Sequence, residues 1–129
     1  MQPKLSLPSI LSKITEVYSP RLVATVNKEY DIKVAKIKGP FIWHAHPNTD
    51  EFFYVLNGAL TIQIENEGEF EDVYLGKGDL FVVPRGVRHR PMAEEEAEIM
   101  MIEKCGTVNT GDQVESDWMK VPVDVRKDV

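Results

Sequence analysis

Apolar and polar residues alternate in short runs along most of this chain, and turn formers cut the runs at close intervals. Successive side chains on a strand point to opposite faces. The alternation therefore predicts strands over residues 22–26, 32–38, 42–46, 51–56, 59–65, 71–75, 80–83, 89–92 and 98–103. Between them stand Gly39-Pro40, Pro47-Asn48-Thr49-Asp50, Asn57-Gly58, Gly76-Lys77-Gly78-Asp79 and Pro84-Arg85-Gly86. Asn-Gly between two β-rich runs is a strong two-residue hairpin signal. The acidic run Glu94-Glu95-Glu96 reads as a solvated turn. Many short strands separated by regular turns predict an all-β barrel or sandwich.

The two ends differ from this pattern. Ile10, Leu11, Ile14 and Val17 have helical spacing, which predicts a short amphipathic helix with Ser9 as its cap. After Cys105 the periodicity fades, and Trp118, Met119, Val121 and Val123 are placed to dock across the body. The expected organisation is an N-terminal arm or short helix over residues 1–20, a barrel over 21–105, and a C-terminal tail over 106–129 packed on the barrel.

A chain of 129 residues is a one-domain length, and 43% apolar with 28% charged residues is ordinary for a globular protein. The net charge of −6 argues against nucleic acid as a partner, since sequence-independent binding relies on basic surface. Arg85, Arg88 and Arg90 are too few to reverse this and read as a solvated loop. The lone Cys105 cannot form an internal disulfide and suits a reducing compartment. No apolar run reaches membrane-spanning length. The start, broken by Pro3 and Pro8, does not read as a signal peptide, so a cytoplasmic location with no membrane partner is expected.

The chemistry lies in the three histidines. His44 and His46 are two apart in an extended, half-apolar run, so as strand residues they share one face with Ile42. Glu51 follows five residues later, and His89 lies beyond Pro84-Arg85-Gly86-Val87-Arg88. Three imidazoles and a carboxylate can close a four-ligand N/O site for one divalent ion, with positions left open to water or substrate.

The residues around that set form two frames. In the first, His44, His46, Glu51 and Gly58 stand at His-x-His, four residues, Glu, six residues, Gly. In the second, Gly78, Pro84, Gly86 and His89 stand at Gly, five residues, Pro-x-Gly, two residues, His. The chain thereby resembles the cupin superfamily over roughly residues 32–103, with motifs at 39–58 and 78–93. It departs from the pattern at Gly39, one residue too close to His44, and at Ala93, where the second motif ends in Asn. The resemblance implies a single-domain jelly-roll β-barrel with a metal held by His44, His46, Glu51 and His89. It leaves the substrate open, because cupins include oxygenases, isomerases, lyases and sugar-binding modules.

Strand parity completes the expectation. If Glu51 points inward so do Phe53 and Val55, which with Ile42 would line an apolar pocket for a small-molecule ligand or substrate. Asp50, Tyr54 and Arg88 have outward or loop positions, so no second acid or base is expected inside. Cys105 has no free histidine to activate it. Chemistry should therefore run directly at the ion, whether Fe, Mn, Ni, Co or Zn. The expected function is a metal-dependent enzyme of oxygenase or isomerase/lyase type acting on a small organic metabolite. The alternative is a non-catalytic metal- or ligand-binding module. The same parity turns Phe41, Trp43, Phe52, Tyr54 and Leu56 outward. So large an apolar patch needs a cover. A homodimer is the favoured one, and the segment 10–17 with the Trp118 tail is the other.

Overall fold

The computed structural model describes residues 1–128. A six-residue helix, α1 (Leu7–Ser12), precedes β1 (Arg21–Val26), β2 (Tyr30–Pro40), β3 (Glu51–Asn57), β4 (Leu60–Asn66), β5 (Glu69–Leu75), β6 (Leu80–Val83), β7 (Arg88–Lys104) and β8 (Val123–Asp124). The strand path runs β5-β4-β7-β2-β1-β8, with β3 paired to β7 and β6 paired to β3. This is the expected all-β barrel architecture, but its sheet is not closed on itself. One core cluster fills the interior, including Ile37, Phe53, Val55, Ile62 and Ile99. Among the described residues no helix is long and apolar enough to cross a membrane.

β7 replaces two expected strands and the turn between them. Ile37 pairs with Ala97 and Gly39 with Ala93, so four steps on β7 face two on β2. The exposed Glu94, Glu95 and Glu96 ride on this bulge. A bulge absorbs extra residues without ending the strand, and it bends the strand where it does so. β7 uses the bend to change partners, from β4 (Thr61↔Met92 to Glu65↔Arg88) to β3 (Phe52↔Ile102 to Asn57↔Glu98). The Asn57-Gly58 hairpin packs against the bend, because only a glycine lets Ala97 approach so closely there.

The expected strand over residues 42–46 is reduced to a single bridge between His44 and His89. Pro40 and Pro47 flank it and remove N–H donors a continuous ladder would need. Regular alternation is lost with the ladder, so Phe41 turns into the core, only 5% exposed, instead of outward. Trp43 stays half-buried beneath Arg88 and Arg90 and edge-on to Phe70.

The helix is capped by Ser6 rather than Ser9: the Ser9 N–H donates to Ser6 Oγ at 3.3 Å. Pro8 fits the first helical turn, where its missing N–H costs nothing, so the helix starts earlier than the apolar spacing suggests. Leu11 and Ile14 are buried with Val23 and Val34, and Leu56 and Met100 pack against the same cluster. The N-terminal segment thus covers part of the outer face. The tail crosses the opposite side. The Asp112 N–H donates to the Ala45 carbonyl at 2.9 Å and the Ala45 N–H to Asp112 Oδ1 at 3.0 Å. Trp118 stands edge-on to Tyr18 and Phe41.

Candidate metal centre

Glu51 is the first residue of β3, and inward parity buries it with Phe53 and Val55. His89 enters from β7. His44 and His89 exchange backbone hydrogen bonds of 3.0 and 2.8 Å, and the Gly86 N–H donates to the His46 carbonyl at 2.8 Å. The two loops of the sequence frames therefore hold each other in place. His44, His46, Glu51 and His89 are between 1% and 4% exposed. One donor atom from each lies within 4.8 Å of all the others.

The nitrogen roles follow from the neighbours. His44 Nδ1 and His89 Nδ1 each lie 2.9 Å from a backbone carbonyl, of Ile42 and Val87 respectively. A carbonyl only accepts, so both Nδ1 atoms carry the proton and both Nε2 atoms are left with lone pairs. His89 Nε2 then faces Glu51 Oε1 at 3.1 Å, and His46 Nε2 lies 3.4 Å from the same oxygen. Two lone pairs facing each other at such a distance repel unless a cation lies between them. Donors bound to one ion at ~2.0–2.2 Å stand about 3 Å apart on adjacent vertices, so these separations fit a shared divalent ion. Neither ring nitrogen of the buried His46 finds a hydrogen-bond partner among the described residues, which also fits.

Electrostatics prepares the set for a cation. Burial, reinforced by His89, pulls His44 down to about 4, so the imidazole is neutral near pH 7. In the metal-free chain a ring N–H takes the cation's place: burial pushes the Glu51 carboxyl up, but hydrogen bonds from the His46 and His89 rings outweigh burial and hold it well below the usual carboxylate range. Neutral imidazoles and an ionised carboxylate are the forms that ligate.

A narrow cavity opens from the set into the barrel. Its volume is about 40 Å³ in the measure in which one water needs ~10–15 Å³, so it holds a few waters or one small ligand. His44 and Glu51 lie at its polar part, and Tyr18, Phe41, Phe53, Ile99 and Met101 form apolar walls. Of the pocket residues expected from sequence, Phe53 lines it. Val55 lies buried in the core beyond it, and Ile42, half-buried, borders an outer groove with Trp43.

The expectation of no second acid or base inside is overturned. Lys33 and Glu103 line this cavity, 1% and 2% exposed, with Lys33 Nζ 2.9 Å from Glu103 Oε1. The β3–β7 register that pairs Phe52 with Ile102 sets Glu103 across from Glu51. Burial and then the Glu51 charge push the Glu103 carboxyl well above its ordinary range. Parity could have placed Glu103, which shares a face with Ile99 and Met101; Lys33 shares one with Ala35 and Ile37, but β2 is apolar on its other face too. Asp50, Arg88 and Cys105 are exposed, and Tyr54 is half-buried on the outer face.

Comparison with known proteins places this geometry. Residues 31–103 match the family described as the Cupin domain. A cupin-2 domain containing protein from Shewanella frigidimarina is 38% identical, with a TM-score of 0.71 over 78% of this chain and 93% of that one. The 3-hydroxyanthranilate 3,4-dioxygenase of Ruegeria pomeroyi is 35% identical over 78 residues, 58% of this chain and 43% of the relative. An uncharacterized Bacillus subtilis protein, YdbB, is 31% identical over 85 residues, 66% of this chain and 72% of its own. The match spans less than half the length of the dioxygenase relatives.

Proposed function

The chain belongs to the cupin family, and from that premise we propose that it is a metal-dependent dioxygenase acting on a small organic molecule. The observation that carries this reading is the buried set of three imidazoles and one carboxylate, with lone pairs converging at the polar part of an apolar cavity. Dioxygenase relatives at 35% and 34% identity support oxidation over the other chemistries such a set can host.

His44, His46, Glu51 and His89 would hold the ion, iron in the first instance. An open-sited divalent iron supplies the one-electron chemistry that lets dioxygen react with an organic molecule. The chain's own contributions are positional. The Ile42 and Val87 carbonyls fix the His44 and His89 rings with Nε2 turned to the centre. Phe41, Phe53, Ile99 and Met101 keep the cavity apolar, which excludes water from the reacting molecule. The tail seals the side at Ala45.

We also infer that the chain works as a homodimer. Among the described residues β6 pairs only with β3, and its Leu80 and Val82 are exposed beside half-buried Phe52 and Tyr54.

The test is oxygen uptake by the intact chain loaded anaerobically with Fe(II), across small hydroxylated aromatic, keto and diketo compounds. Uptake that chelation abolishes is expected. Conversion without oxygen consumption would replace the dioxygenase with an isomerase or lyase. No conversion of any compound, with the ion bound, would leave a binding module.

A further inference from the structure

Lys33 is among the bulkiest side chains of the fully buried interior, and it carries a charge. Burying an ammonium is unfavourable unless its donors and its charge are matched. The match here is incomplete. Lys33 Nζ donates to Glu103 Oε1 at 2.9 Å and to the Thr107 carbonyl at 3.2 Å. An ammonium has three donors, and the third finds no acceptor among the described residues. The other side of the buried Glu103 carboxyl is taken up by Glu51 and offers nothing to that third donor. Both residues line the cavity that holds His44 and Glu51. An ion pair that served packing alone would be closed on itself, whereas this one keeps a free donor in a chamber otherwise walled by Phe41, Phe53, Ile99 and Met101.

The charges point the same way. Once His44, His46, Glu51 and His89 hold a divalent ion, the buried positive charge of the ion and Lys33 exceeds the negative charge of Glu51 and Glu103, whichever form Glu103 takes. A low-dielectric chamber with excess positive charge favours an anion.

We propose that Lys33 is the anion-recognising residue of this cavity, and that the molecule it takes is a small organic acid. The acid's carboxylate accepts the free Lys33 N–H, its apolar body lies between Phe41, Phe53 and Met101, and its far end reaches the His44–Glu51 side. The assignment deepens the dioxygenase reading and rests on it for the metal. It makes Lys33 a residue of substrate choice and Glu103 the partner that orients the Lys33 ammonium.

Acetate and its neutral counterpart acetamide, small enough for this cavity, test the assignment by titration calorimetry on the intact, metal-loaded chain, with metal content measured in every sample. Acetate should bind at least about tenfold more tightly than acetamide. Lys33→Met should remove that preference while acetamide binding stays within about twofold, and Lys33→Arg should keep part of it. Because Lys33→Met leaves Glu103 alone, the double variant Lys33→Met/Glu103→Gln is run beside it. This replaces the pair with a neutral one and should likewise bind both probes equally. Equal binding of the two probes by the wild type, no acetate binding at all, or a preference that survives in a folded double variant would overturn the proposal. A wild type that prefers acetate through Lys33 yet holds no ion would support the Lys33 assignment and contradict the metal reading, so the two failures are distinguishable.

Discussion

At the residue scale, the histidines were legible because metal ligation constrains spacing as well as type. His44, His46, Glu51 and His89 stand at offsets that survive any detail of the strands between them, and the structure gathers all four. Lys33 was not legible, because β2 is apolar on both faces. Ile32 and Val34 point out beneath the N-terminal segment, while Ala35 and Ile37 point in, so alternation alone could not say which face took the lysine. The electrostatics of the set gives a prediction for the metal-free chain. His44 is held down to about 4 by burial, against an ordinary value of 6.5. Between those values the unfolded chain binds the proton and the folded chain does not. The contribution of His44 is therefore full above about pH 6.5 and is lost as pH falls to about 4, amounting to roughly 3 kcal/mol. An NMR titration of the metal-free protein should place the His44 ring midpoint near 4. A midpoint between 6 and 7 would remove burial as the controlling effect.

At the element scale, β3 and β4 could be read from alternation, since their inward and outward faces differ sharply, and β5 and β6 from the turns that bound them. Two segments could not. Residues 42–46 alternate like a strand but are bounded by prolines and keep only the His44–His89 bridge. The acidic triplet 94–96 looks like a turn because its charges are solvated, and a bulge solvates them equally well. The bend of β7 depends on the hairpin beside it. Gly58 has φ +85°, and a Cβ there would stand 3.1 Å from Ala97 Cα. Gly58→Ala should cost about 1–3 kcal/mol in denaturant unfolding, and a loss of a few tenths would show that the bend tolerates a side chain. The six-residue α1 is too short to be stable alone, so its docking residues should matter more than its cap. Leu11→Ala should cost about 2–4 kcal/mol, and Ser6→Ala about 0.5–1 kcal/mol. Equal losses would contradict that order.

At the scale of the whole molecule, the tail closes the site's outer side. Gly111, at φ +56°, lies so close to the His44-Ala45 segment that a Cβ would overlap the Ala45 carbonyl oxygen. Gly111→Ala should lift the tail and speed amide exchange at residues 106–119, leaving β2 and β7 protected. Uniform acceleration would mean that the tail is part of the core. The outer face is covered only in part by Leu11 and Ile14, and β6 keeps its free edge with Leu80 and Val82 exposed. Sedimentation at micromolar concentration should therefore give twice 14.7 kDa, and a mass near 14.7 kDa would reject the dimer. The central claim is that the barrel holds one divalent ion between His44, His46, Glu51 and His89. Elemental analysis of the purified chain and of its His44→Ala and His89→Ala variants tests it directly. One ion per chain in the wild type and none in either folded variant is the expected result. An intact chain that takes up no divalent metal, or variants that keep it in full, would contradict it.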